Sequence, residues 1–225
     1  MIERHFDEEL IRLKQKLLEM GDMTQEMIEF SIKALVDRKE KLINQVLQME
    51  EKINRMEVEI EKETIRLLAT RQPTARDLRL LTGILKMNND LERIADQAVN
   101  IAEIDVYLLK EPLLKHLIDI PHMAVLARRM VRDSLKAFIH HDHELAKQVC
   151  LDDDKVDRLN DQVFRELLTY VIEDPKKITR AVDLILVARN LERIADHATN
   201  ISKNVVFIEE GKNIKHHLEE EALVG

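Results

Sequence analysis

The chain is short of almost everything that makes turns, sheets or disulfides. Its 225 residues include four glycines, four prolines, one cysteine, no tryptophan and 3% aromatics. So few turn residues, beside many Leu, Ile, Glu, Lys and Arg, exclude a sheet-rich fold and favour helix. A lone Cys150 excludes an internal disulfide and suits a reducing compartment. It shares an apolar helical face with Leu145 and Val149, so a buried structural thiol is expected rather than a nucleophile. Basic excess is also missing, because 43 acidic residues face 35 basic ones and the formal net charge is -8. Without a clustered Lys/Arg face, nucleic acid is not an expected partner. No run is long and apolar enough to span a bilayer, and MIERHFDEEL has no apolar signal region, which predicts a cytoplasmic protein.

What remains is helical periodicity broken by sparse punctuation. Apolar spacing predicts helices over about 6–36, with a bend at Gly21, over 39–70 and over 74–108. Pro112 and Pro121 mark a connector, and Pro121 opens a fourth helix ending near His140. Asp142 caps a fifth that runs to about Glu173, and a sixth extends from Pro175 to about Glu209. The expected fold is all-α, six long helices in two tandem three-helix bundles, spanning 1–108 and 121–209. A linker at 109–120 joins them, and a fraying tail occupies 210–225.

Internal repetition supports that division. LERIADQAVNI (91–101) recurs one hundred residues later as LERIADHATNI (191–201), identical at nine of eleven positions. The segments 50–68 and 153–168 align at a similar offset, as do Pro73 and Pro175. Such a period implies duplication of one three-helix unit.

Packing explains only part of what is repeated. At 100° per residue, Leu91, Ile94, Ala95, Ala98, Ile101 and Ala102 form one apolar stripe. Glu92, Asp96 and Asn100 fall beside it at i, i+4 and i+8, as do Glu192, Asp196 and Asn200. The second helix of each half offers a matching stripe, Asp153 and Asp157 in one and Glu50 and Asn54 in the other. Carboxylates one turn apart repel unless a cation lies between them, and such oxygen sets suit hard metals. The competing reading is a solvated acidic flank, with Arg93 and Arg193 available three residues before Asp96 and Asp196. The copies also differ, since Asn89 and Glu103 in the first are replaced by Arg189 and Lys203 in the second.

Other candidates are weaker. In HHDHE (140–144) Asp142 is explained as a cap. A carboxylate-bridged metal enzyme, hydrolytic or redox, is the alternative use of the same stripes. A di-iron site would need Glu-x-x-His, however, and His197 points away from its own stripe. No phosphate loop, nucleophile elbow or kinase signature occurs, so an enzyme is not expected.

NDLERIADQAVNIAE, RNLERIADHATNISK, DDDKVDRLN and MEEKINRMEVEIE together resemble the PhoU family of phosphate-specific transport regulators, over about residues 6–207. The resemblance implies six helices in two bundles and metal-binding E/D-xxx-D motifs, with multinuclear iron or another divalent metal as the cofactor. By position these motifs fall on Glu92 and Asp96, Glu192 and Asp196, and Asp153 and Asp157. Glu50 and Asn54 are the fourth, where Asn54 departs from the acidic pattern. It also implies an adaptor that represses phosphate-starvation genes when phosphate is plentiful. Its partners would be the sensor histidine kinase PhoR and the transporter ATPase PstB, with membrane association arising through them. Homodimerisation through the long helices is a further expectation.

Overall fold

In the computed structural model residues 2–211 are described, and six α-helices account for nearly all of them: α1 (Ile2–Asp37), α2 (Glu40–Arg71), α3 (Ala75–Leu108), α4 (Asp119–His140), α5 (His143–Glu173) and α6 (Ile178–Glu210). No strand occurs among the described residues. α1–α3 form one bundle and α4–α6 the other. The two share a continuous core, because α3 packs on α6 and α1 on α4.

Each helix presents an apolar stripe inward. In α2 the stripe is Ile43, Val46, Ile53, Ile60 and Leu67, and in α5 it is Val149, Val156, Val163 and Leu167, all buried. Spacings of three, four and seven residues keep such stripes on one face. The repeated apolar residues of LERIAD behave the same way: Leu91, Ile94, Ala95, Leu191, Ile194 and Ala195 are buried at the α3–α6 seam. Burying a side chain of Leu or Ile size contributes about 1.5–3 kcal/mol relative to leaving it exposed.

Several boundaries differ from the sequence reading. α1 is one uninterrupted helix, so Gly21 is not a bend. A Cβ at position 21 would run into the Leu135 side chain of α4, and the glycine serves that close helix crossing. Gly83 does the same for α3 against Ile208 of α6. α4 starts at Asp119 rather than at Pro121, because proline is tolerated in a first helical turn where its missing N–H bonds nothing. Pro175 opens a 3-10 turn, Pro175–Lys177, before α6 proper begins at Ile178. Asp142 is the cap expected of it, accepting from Leu145 N at 2.9 Å. The tail expected to fray lies, beyond Gly211, outside the described residues.

Polar contacts fix the connections. Glu9 is buried between Arg66 (3.1 Å) and Arg71 (2.9 Å), tying α1 to α2 and holding its carboxyl below the usual range, chiefly through Arg71. Arg38 donates to the carbonyls of Leu109 (2.6 Å) and Glu111 (2.9 Å), and Arg180 to that of Pro112 (3.0 Å). The connector between the bundles is therefore pinned from both sides. Cys150 is buried, its thiol donates to the Thr199 carbonyl at 3.9 Å, and burial pushes its pKa up to about 11. That is a structural thiol, not a nucleophile.

Candidate metal centre

The carboxylate stripes lie along the seam between the second and third helix of each repeat, just outside the core. In the second repeat Asp153 and Asp157 of α5 face Glu192 and Asp196 of α6 closely enough to perturb one another. Burial, then Asp196 and Asp157, push Asp153 up to about 7. Burial and Asp196 raise Asp157, and burial followed by Asp196 raises Glu192. Such shifts mean that the ionised forms are mutually unfavourable as they stand. Asp153 Oδ1 is buried and accepts no hydrogen bond.

In the first repeat Glu92 is raised by burial and Asp96, and Glu50 by burial, Asp96 and Glu103. Here the solvated-flank reading is partly realised, since Arg93 reaches Glu92 (3.5 Å) and Asp96 (3.4 Å). Arg93 is more than half exposed, so these pairs contribute little. Asn54 and Asn100 are exposed and Asn200 is half-buried; among the described residues none hydrogen-bonds to the carboxylates.

The two halves are tuned differently. Lys203 lowers Asp153, whereas its counterpart Glu103 raises Glu50. Arg189 likewise lowers Glu192. Sequence reasoning missed Glu57, which adds to the field on Glu92 and lies seven residues after Glu50, on the same face. Its counterpart in the second repeat is Asn160. The first half thus has Asn54 and Glu57 where the second has Asp157 and Asn160, and the carboxylate is displaced along the helix rather than lost. The i, i+7 spacing was the signal for it.

His197 does point away from its own stripe, and it lands on the other repeat. Its Nδ1 lies 3.0 Å from Asp90 Oδ1 of α3, and it lowers Glu92 electrostatically. His141 and His143 pair with Glu209 and with Glu144 and Glu210, so the HHDHE cluster serves the helix junction.

Among the described residues, no three His, Cys, Asp or Glu side chains already converge as the ligands of an ion would. The donor chemistry nevertheless fits a hard cation. All donors are oxygens, they repel each other, and one buried oxygen is unsatisfied.

A duplicated three-helix repeat with an acidic seam in each half defines a class of all-helical, two-bundle proteins. Within that class the chain belongs to the PhoU family, whose PhoU domain profile matches residues 17–104 and 120–205. It is 43% identical over 213 residues to a phosphate-specific transport system accessory protein PhoU homolog of Aquifex aeolicus, covering 94% of this chain and 96% of that one. A protein of the same description from Pseudomonas putida is 39% identical over 216 residues, 96% of this chain and 84% of its own length. The crystal structure of PhoU from Pseudomonas aeruginosa superposes with a TM-score of 0.89 at 38% identity, covering 92% of this chain and all of that one. The phosphate transport system regulatory protein PhoU from Streptococcus pneumoniae gives 0.86 at 27% identity, covering 93% and 99%.

Proposed function

We propose that this chain regulates phosphate uptake as an accessory protein of a phosphate-specific transport system. The reading is carried by similarity along nearly the whole chain to relatives described in those terms. In its finer form, it is a metal-binding adaptor between the transporter ATPase and the sensor histidine kinase. It restrains the phosphate-starvation response when phosphate is plentiful. Membrane association comes through those two partners; no helix among the described residues is long and apolar enough to cross a membrane.

Glu50, Glu92 and Asp96 would hold the ion in the first half, and Asp153, Asp157, Glu192 and Asp196 in the second. An ion there supplies positive charge that offsets the repulsion between the two helices of each seam. The chain's own part is to present oxygens from two helices at once, which couples occupancy to how tightly the seam is closed. No group in the chain is assigned a catalytic role.

The test is complementation of a strain that lacks its own PhoU-type regulator. Expression of this chain should restore repression of a phosphate-starvation reporter in high phosphate. Affinity purification should retain the transporter ATPase or the kinase. Failure of both repression and retention would reject the adaptor reading. Metal-dependent turnover of a phosphoester or a peroxide would replace it with an enzyme.

A further inference from the structure

α1 and α4 are the first helices of the two repeats and align at an offset of 103, Met20 with Met123, Met27 with Met130, Ser31 with Ser134 and Ala34 with Ala137. They pack antiparallel, since Gly21 lies against Leu135 and Glu29 pairs with Arg128. The duplication therefore makes two equivalent crossings, Gly21 with Leu135 and Ala124 with Ile32. The first is tight because glycine has no side chain. At the second, a methyl stands where the first has only hydrogen. A cavity of about 510 Å³ lies between the helices there, and Ala124 and Ile32 line it.

The lining is divided along its length. Ile32, Val36, Pro121, Ala124 and Val125 make an apolar end. Arg128, Arg129 and Arg132 of α4 lie toward the other end. The repeat does not demand these arginines, because their α1 counterparts are Gln25, Glu26 and Glu29. The remaining charged side chains of the lining are Lys33, Glu29 and Asp37. Lys33 and Arg128 share Glu29, and Lys39 bridges Asp37 at 2.9 Å. Asp22 and Glu26, the other acids on this stretch of α1, are exposed and do not line the cavity. Arg129 and Arg132 pair outside it, with Asp152 and Asp133, each through one nitrogen at 3.0 Å. A guanidinium has five donors, so most of them stay available on both side chains. Pairs whose arginine is this exposed contribute about 0–1 kcal/mol, which is little resistance to an incoming anion.

Dimensions select the kind of occupant. From residue 25 to residue 36 the cavity is about 17 Å long at 1.5 Å per residue. Its volume lies within the range of about 300–1,000 Å³ that small-molecule sites occupy. A partner helix about 10 Å across would displace more than about 1,000 Å³ over that length, so it does not fit inside. Cations at one end and aliphatic side chains at the other call for a molecule divided in the same way.

We infer that the α1–α4 cavity binds a small amphiphile, its anionic head group held by Arg128, Arg129 and Arg132 and its apolar chain laid over Ile32, Val36 and Val125. The head group is of the phosphate or carboxylate type, to which guanidinium forks donate pairwise. Such a ligand touches both repeats at once. The site is separate from the carboxylate seams, which lie on α2–α3 and α5–α6, and it needs neither a metal nor the adaptor role.

The probe is decyl phosphate, kept below its micelle concentration and titrated calorimetrically into the full chain with a chelator present. Its Kd should be about 10–100 μM, about ten-fold or more tighter than that of butyl phosphate or of decyltrimethylammonium. Arg128→Gln with Arg132→Gln, and separately Val125→Glu, should each weaken it about ten-fold or more. Val125 is 66% exposed, so its replacement leaves the core intact. Arg158→Gln with Arg165→Gln, exposed on α5, should leave binding unchanged. Equal binding of decyl phosphate and decyltrimethylammonium would remove the role of the arginines and overturn the inference. Equal binding of decyl and butyl phosphate would do the same for the apolar end. No binding, or binding that survives both cavity variants, would also overturn it. So would capture by phosphatidic acid vesicles of a chain that ignores decyl phosphate, which would make this face a membrane contact. A dimer in light scattering that Val125→Glu dissociates would instead give the face to a second copy, and the inference would fall.

Discussion

Asp90 of the first repeat and His197 of the second are hydrogen-bonded across the repeat boundary, Oδ1 to Nδ1 at 3.0 Å. The pseudo-equivalent pair on the other side of the seam is Gln97 and Asn190. There Asn190 turns back to the Leu186 carbonyl at 2.8 Å, and Gln97 Oε1 is buried without a partner. One copy of a duplicated contact has become a charge-assisted bond, and the other is left incompletely satisfied.

A double-mutant cycle of Asp90→Asn and His197→Gln tests whether that bond couples the repeats. Each single change should lower stability, because the partner left behind, buried Asp90 or half-buried His197, loses a hydrogen bond. The coupling energy should be about 1–2 kcal/mol by urea denaturation. Additive effects within about 0.3 kcal/mol would show that the contact does not contribute.

Asp105 should make stability fall as pH rises. It is fully buried on α3, neither oxygen has a partner, and burial pushes its pKa to about 8. In the unfolded chain it ionises near 4, so from about pH 4 to 8 the folded state holds the extra proton. Folding stability contributed by this group is then greatest below pH 4 and declines toward pH 8. The total loss is on the order of a few kcal/mol. The corresponding residue of the second repeat is Val205, also buried. Asp105→Val should flatten the decline and raise the melting temperature most at pH 8. A variant whose profile parallels wild type from pH 4 to 8 would contradict the assignment.

Gly21→Ala tests the crossing of α1 over α4. In an exposed helix this change would stabilise by about 1 kcal/mol. Here the new methyl meets Leu135, so a net loss of about 1–3 kcal/mol is expected. Leu135→Ala added to Gly21→Ala should cost less than the sum of the two single changes. Strict additivity would mean that the helices are not in contact at this point.

Gly21 and Asp105 also show what was legible in the sequence. The helices, the duplication and the LERIAD core follow from local periodicity, which the chain keeps with few interruptions. Gly21 was misread because a glycine in a helical pattern looks the same whether it bends the helix or admits a neighbour. Only the tertiary crossing with Leu135 distinguishes the two. The carboxylates of the seam were legible because they sit at i, i+4 on both helices. Asp105 and the Asp90–His197 bond were not, since each depends on what the opposite helix places beside it. Phe164, Leu168, Ile178 and Val182 are spaced as core residues are, and their exposure became evident only once the bundle was assembled.

The acidic seam makes a prediction whose sign reverses with metal. Without an ion, Glu192→Gln with Asp196→Asn removes like-charge repulsion from four neighbouring carboxylates. The metal-free variant should therefore be more stable than wild type by about 0.5 kcal/mol, a melting shift of about 1–2 °C. Added Mn²⁺, or Fe²⁺ under anaerobic conditions, should stabilise only the wild type, by about 2.7 kcal/mol at a hundred-fold excess over Kd. The wild type should then overtake the variant. Protons compete for the same oxygens, and Asp153 titrates at about 7. Metal stabilisation should therefore weaken as pH drops from 8 to 6. Calorimetry of both proteins with and without metal reads all three effects. An equal metal-induced shift in wild type and variant would place the ion elsewhere. No shift in either would reduce the seam to a solvated acidic flank.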